Sequence, residues 1–453
     1  MSGLLALPKE TLTNVLSYVE PVDLARFAQT CRSAQNAAHP ANQVLWRHVF
    51  LSLYDDPEEA WSAMPSSYTP PLRKDWDWYR EVKHRHGALC VLHRQNLEPV
   101  EPAKVNQHIT SLLSILDTAK FAPTPSEIRR GMEPRINDRS WLNLNLLAPR
   151  DTPYHTGIDS LIYGHSLRDC EGYTSRPSDS RSDAKSRLHI LCGLTERDHM
   201  DHKVRGQARR RVYNWSLTSE ATDYGPFMDD GSGRPNWYLL EGVVTVSMLM
   251  LLSCVQQSLV LPNSFNYSIP HRTLVPYKNP RDWARVQGSW LGTYSFLDYA
   301  QLAAFNDRIR PNSIGPNLEG NCEACGALLK MVLRIDDSVK SDRKLQTSLP
   351  SADDADYPTL YFRGESKDRG HAGNPATTVK GFAALMPGGR EVRWRFIVNY
   401  MSTDAWQLEG IQPGGIRSGG IFGLWSQVDH EPRDAIGPFC YYPEELFLPL
   451  LNI

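Results

Sequence analysis

Apolar positions recur with helical spacing through the first half of the chain and with a spacing of two through its last third. Leu12, Val15, Leu16 and Val19 fall at i, i+3, i+4 and i+7, one face of an amphipathic helix that Leu7-Pro8 opens. Pro21 ends that helix, and Asp23 is placed to cap a second one carrying Leu24, Phe27, Ala28 and Cys31. His39-Pro40 breaks the chain again before a third face made of Leu45, Trp46, Val49, Phe50 and Leu53. Helical spacing returns at Trp76, Tyr79 and Val82 and at Ile109, Leu112, Leu113 and Leu116, and Leu188 to Leu194 is apolar enough to be buried.

Asn236 to Gln257 is the most apolar stretch, but its uninterrupted core, Val243 to Val255, falls short of the roughly twenty residues a spanning helix needs. It reads as a buried helix joining the helical and strand-rich parts. Beyond Trp283 the alternation is strand-like: Val286 to Phe296, Leu329 to Asp336, Leu360 to Glu365, Thr378 to Met386, Val392 to Tyr400, Trp406 to Ile411, Ile421 to Val428 and Phe439 to Tyr442. Pro387-Gly388-Gly389 is a hairpin turn between two of them. About eight antiparallel strands with internal glycines favour a closed barrel, because closure removes exposed edges. The fold class is therefore α+β multidomain: three N-terminal helices over 4–54, a helical and loop-rich region over 55–280, and an antiparallel β-barrel over 281–446.

Two segments lack apolar anchors, Thr174 to Arg187 and Lys340 to Asp356. The first is expected to be a mobile loop and the second disordered or a flexible lid. The length of 453 residues, with 41% hydrophobic and 22% charged, is that of a globular protein of several domains. A net charge of −2 gives no electrostatic case for nucleic acid or a membrane surface. Eight scattered cysteines and no N-terminal signal pattern point to a reducing intracellular compartment, the cytoplasm, the nucleus or both. His84, His86, Cys90 and His93 lack closed metal-site spacing and read as exposed helix residues, and Cys322-Glu323-Ala324-Cys325 reads as ordinary thiols. No cofactor and no metal are expected. Walker, Gly-x-Ser-x-Gly and His-Glu-x-x-His signatures are absent, so no catalytic residue is assigned.

The N-terminal helices carry more leucine and valine than their inner faces can use, which implies an apolar patch for a partner. Leu7-Pro8, Glu10, the run from Leu12 to Tyr18, Asp23-Leu24, Thr30-Cys31-Arg32 and Leu45-Trp46-Arg47 stand in the order and spacing of the F-box, and this segment resembles that family. The departure is Thr30, where the family favours a large aliphatic residue. The resemblance implies a Skp-type adaptor as partner, a cullin scaffold and RING subunit reached through it, and docking by Leu7, Pro8, Leu12, Leu16 and Leu24.

Trp290 to Tyr299, Val392 to Phe396, Glu409 to Trp425 and Gly437 to Tyr442 resemble the barrel of fungal F-box proteins and, more distantly, of the animal F-box protein that captures D-type cyclins. The animal protein's zinc-binding cysteines have no clear counterpart, so no metal is carried over. The implied function is substrate recognition for an SCF-type ubiquitin ligase, with an unknown protein substrate and with the chemistry on other subunits. Trp290, Tyr294, Arg417 and Trp425 are placed at one barrel end as the substrate site, with Arg417 in a flexible glycine-rich loop that lets a ligand approach. A barrel binding a small apolar ligand and a hydrolase with an acid/base pair at the barrel mouth are the alternatives.

Overall fold

The computed structural model describes residues 2–62, 64–68, 76–94, 100–119, 142–147, 156–164, 180–255, 259–260, 282–309, 318–321, 323–368 and 377–449. The N-terminal segment folds as α1 (Lys9–Leu16), α2 (Pro21–Ala28), α3 (Arg32–Ala37) and α4 (Gln43–Leu53), after a short turn of helix at Ser2–Leu5. The second sequence period is thus two helices, because the Cys31 sulfur accepts a hydrogen bond from the Ala34 amide and caps a new start. Pro21 does not merely stop α1; it occupies the opening turn of α2, where its missing N–H costs nothing, and Asp23 lies inside the helix rather than capping it.

These helices do not form a core by themselves. Leu45, Val49 and Phe50 of α4 share one with α5 (Trp78–Leu92), α6 (Pro102–Asp117) and α7 (Ser180–Cys192) through Val82, Leu89, Ile109, Leu112, Leu116 and Leu188. Arg85 of α5 is fully buried there, with its guanidinium 4.7 Å from the Phe50 ring centre, and it donates to Glu81, Ser114 and Thr118. A buried cation is tolerable because each of its three nitrogens finds an acceptor, one of them a carboxylate. The Thr174 to Arg187 stretch, expected as a loop, is helical from Ser180 onward, since Leu188 and Leu191 anchor the next turns in this core; its residues 174–179 lie outside the described residues.

After α8 (His202–Val212), α9 (Trp237–Val255) runs between the helices and the barrel. By length and composition it could cross a membrane, yet 67% of its apolar window is buried within the protein. Leu239, Val243, Met248 and Leu251 pack on the outer barrel wall at Leu291, Phe422, Leu424 and Tyr442. Its one acidic residue, Glu241, accepts from Ser186, His189 and Arg211.

The eight barrel strands are β1 (Gly288–Phe296), β2 (Leu329–Ile335), β3 (Leu360–Asp368), β4 (Thr377–Leu385), β5 (Val392–Tyr400), β6 (Thr403–Gln412), β7 (Ile421–Gln427) and β8 (Ile436–Pro443). Each pairs antiparallel with the next, and β8 closes on β1 with Phe439 opposite Tyr294 and Tyr442 opposite Leu291. α10 (Tyr299–Asp307) follows β1.

The expectation of a disordered or lid-like Lys340 to Asp356 segment does not hold. Its Leu345, Leu349 and Asp354 are buried, and the segment is clamped to the outer wall by two buried arginines. Arg395 donates to the Lys344 and Gln346 carbonyls, Arg393 donates to the Thr347 hydroxyl, and both pair with Glu409 and Asp223. The arginines that alternate with Trp394 and Phe396 are therefore an inner layer between the wall and this segment, not a solvated face.

Candidate functional site

Alternation fixes which strand residues enter the barrel, and chain direction fixes the end at which they emerge. One end receives the connections after β2, β4 and β6. There Trp283 and Val286 plug the barrel beside Tyr357 and Leu360, and the Trp283 indole donates to the Pro358 carbonyl at 2.6 Å. Above the plug, Trp290, Phe362, Trp394, Phe396 and Phe439 fill the interior, with Trp290 and Trp394 edge to face at 5.4 Å. The other end is open among the described residues. A cavity of about 560 Å³ descends from it, lined among others by Tyr294, Asp368, Thr377, Tyr400, Trp406 and Trp425 and floored by Met331, Phe396 and Tyr441.

The mouth is an aromatic enclosure. Trp425 stands edge-on to Trp406 at 5.2 Å and to Tyr294 at 6.1 Å, and its indole donates to the Ser295 carbonyl at 3.0 Å. Tyr294, Phe296, Tyr400, Met401 and Trp406 are each at least 36% exposed, an apolar rim around the opening. Burial, then the Asp368 carboxylate, raises the Tyr294 hydroxyl's pKa, so it is held as a hydrogen-bond donor. Met401 and Ser402 both have positive φ, a two-residue turn that brings Tyr400 and Thr403 face to face at the rim.

Of the four residues placed at one end by sequence, only Tyr294 and Trp425 come together. Tyr294 and Trp425 line the cavity, whereas Trp290 is 2% exposed in the filled interior and donates to the Val286 carbonyl. Arg417 belongs to the connection between β6 and β7, at the plugged end; its side chain lies outside the described residues. The glycine loop around it is packed, not flexible: Gly415 has φ +72°, and a Cβ there would sit 1.6 Å from the Arg390 carbonyl oxygen. Sequence reasoning missed Tyr400 and Trp406. Trp406 faces inward by plain alternation with Leu408 and Gly410, opposite Val398 of β5; the register shift between Val398 and Asn399 falls beyond it.

At the N-terminus, Leu12, Leu16 and Leu24 are 9%, 2% and 0% exposed and belong to the chain's own core. The residues left outside are Leu4, Leu7, Pro8, Val15, Tyr18 and Val22, with Tyr18 71% exposed. At about 100° per residue, Leu12, Thr13 and Leu16 centre the buried face and Val15 falls near its edge, so a single apolar stripe serves two surfaces.

His189 is the most catalytic-looking group elsewhere. Its two nitrogens meet Glu241 at 2.8 Å and Asp198 at 2.9 Å, and Tyr163 donates to Asp198. Burial opposes its charge, but Asp198 and Glu241 outweigh that and raise its pKa to about 10. With His189, Asp198 and Glu241 all at most 5% exposed, this is an ion network bracing α7 against α9. Among the described residues no three His, Cys, Asp or Glu side chains converge as metal ligands; Cys90 and His86 meet only each other, at 3.6 Å.

No curated protein and no solved structure matches the chain. Residues 4–52, the segment bearing the exposed N-terminal face, match the F-box-like family model, a domain type that typically docks Skp-type adaptors of SCF complexes.

Proposed function

We propose that the chain is the target-recognition subunit of an SCF-type cullin-RING ubiquitin ligase, acting in the cytoplasm, the nucleus or both. The observation that carries the proposal is the exposed apolar face of Leu4, Leu7, Pro8, Val15, Tyr18 and Val22 within the F-box-like segment. An apolar surface of this kind on short helices is an interface waiting for a partner. The adaptor covers it; the cullin scaffold and RING subunit follow through the adaptor; the barrel mouth holds a protein target for ubiquitination and degradation. Ubiquitin transfer belongs to the other subunits, and this chain positions the target.

The experiment is co-purification of the adaptor with Val15→Asp and with Leu12→Asp. Val15→Asp charges the exposed face and should release the adaptor while the unfolding midpoint stays within a few degrees of wild type. Leu12→Asp charges the chain's own core and should unfold the N-terminal helices as well. Adaptor binding by Val15→Asp at wild-type levels would overturn the docking face.

A second reading, a barrel that holds a small apolar ligand, is favoured by the 560 Å³ cavity at the mouth, which is of a size that ordinarily takes small molecules. Native mass spectrometry showing a stoichiometric small molecule released by unfolding would select it.

A further inference from the structure

Two thiols lie side by side at the barrel rim, away from the adaptor face. Cys254 is near the C-terminal end of α9, and Cys325 lies in the two-residue strand Ala324–Cys325 that pairs with Ser295 and Phe296 at the end of β1. They are 71 residues apart in sequence, yet their sulfurs are 2.8 Å apart. Cys325 is exposed and Cys254 half-buried. A disulfide needs the sulfurs at ~2 Å, a small approach from this distance, and no intervening side chain has to leave.

We propose that Cys254 and Cys325 form a reversible disulfide modification site that joins the barrel rim to α9. Their surroundings assign different roles to the two thiols. The hydrogen bond from the Cys254 thiol is the main influence on Cys325 and lowers its pKa to about 6, whereas the same bond and burial push Cys254 up. The negative end of the α9 dipole also disfavours a thiolate at Cys254. Thr293 adds its hydroxyl 3.7 Å from the Cys325 sulfur. Cys325 is thus the exposed nucleophile and Cys254 the resolving thiol.

With a hydroperoxide as oxidant, the Cys325 thiolate attacks the peroxide oxygen and the O–O bond breaks; hydrogen peroxide leaves one oxygen on sulfur as sulfenic acid, and the other departs as hydroxide and takes a proton from solvent to become water. Cys254 then attacks the sulfenic sulfur, the S–O bond breaks, and the hydroxyl leaves with the Cys254 thiol proton as a second water. Two thiols lose two electrons and one peroxide gains them. The bond is coupled to the mouth, because the Gly326 amide donates to the Tyr294 carbonyl at 2.8 Å and Ala327 lines the cavity.

The test uses the full chain, reduced and then treated with stoichiometric hydrogen peroxide. Free thiols are blocked with N-ethylmaleimide, and peptides are mapped by mass spectrometry without reduction. The expected result is a Cys254–Cys325 linked peptide, lost on adding dithiothreitol, with the unfolding midpoint raised by several degrees in the oxidised form. Cys322→Ser should keep the link, and Cys254→Ser should lose it and accumulate sulfinic acid on Cys325. A Cys322–Cys325 link, Cys325 over-oxidised in the wild-type chain without any link, or both thiols still blocked by maleimide after peroxide would each overturn the proposal.

Discussion

The two ends of the barrel are built from the same eight strands and similarly aromatic sequence, yet one is filled and the other, among the described residues, is open. At the plugged end Trp283, Val286 and Tyr357 cap a packed layer of Trp290, Phe362 and Trp394. At the mouth, Tyr294, Tyr400, Trp406 and Trp425 surround space instead of filling it. The difference teaches that aromatic content does not locate a site in a barrel. What locates it is which strand connections fold back into the lumen.

The comparison predicts unequal costs for equal chemistry. The largest should come from Trp394→Ala, which empties a fully buried position and should cost about 3–5 kcal/mol, read as a lower denaturation midpoint. Gly415→Ala, also at the plugged end, should cost about 2–3 kcal/mol, because φ +72° and the Arg390 carbonyl both oppose a Cβ. Trp406→Ala at the mouth should cost about 1 kcal/mol. Equal losses for Trp394→Ala and Trp406→Ala would break the comparison.

A smaller effect sharpens it through pH. On the mouth-side connection, His430 stacks on Tyr224 at 3.6 Å; burial, then Arg395 and Lys344, lowers its pKa to about 4 against the attraction of Asp223 and Asp429. A histidine depressed in the folded state binds its proton more readily when unfolded. Its contribution is therefore present above about pH 6.5 and is lost as pH falls toward 4. Amide exchange, corrected for intrinsic rates, should accelerate over 428–435 between pH 7 and pH 5 and stay unchanged over 413–420. His430→Gln should remove the difference.

The barrel was legible in the sequence because its inner face keeps a strict period of two from Val392 to Tyr400 and its glycines fall at turns and close approaches. The site was only half legible. Tyr294 and Trp425 carry their inward direction in the alternation, but Trp290 has the same signature and is core, since depth along a strand is set by the plug and not by the residue. Arg417 was misplaced because strand parity says nothing about which end a connection reaches until every strand is counted. The hairpin at Met401-Ser402 lacks the Asn-Gly signal of its turn type, so the start of β6 was hidden. Arg393 and Arg395 look like a solvated face until Asp223 and Thr347, far away in sequence, are seen to cover them. On α1, Val15 and Leu12 share an apolar stripe, and only the position of α4 decides which one is left for a partner.

The central claim, that the mouth holds the target while the N-terminal face holds the adaptor, is tested most directly by quantitative affinity purification with the proteasome blocked. The wild-type chain is compared with Val15→Asp and with the double variant Tyr400→Ala/Trp406→Ala. The account predicts that the mouth variant keeps the adaptor at wild-type levels and loses a defined set of other proteins, and that Val15→Asp loses the adaptor and keeps that set. Retention of every wild-type partner by the mouth variant would contradict it.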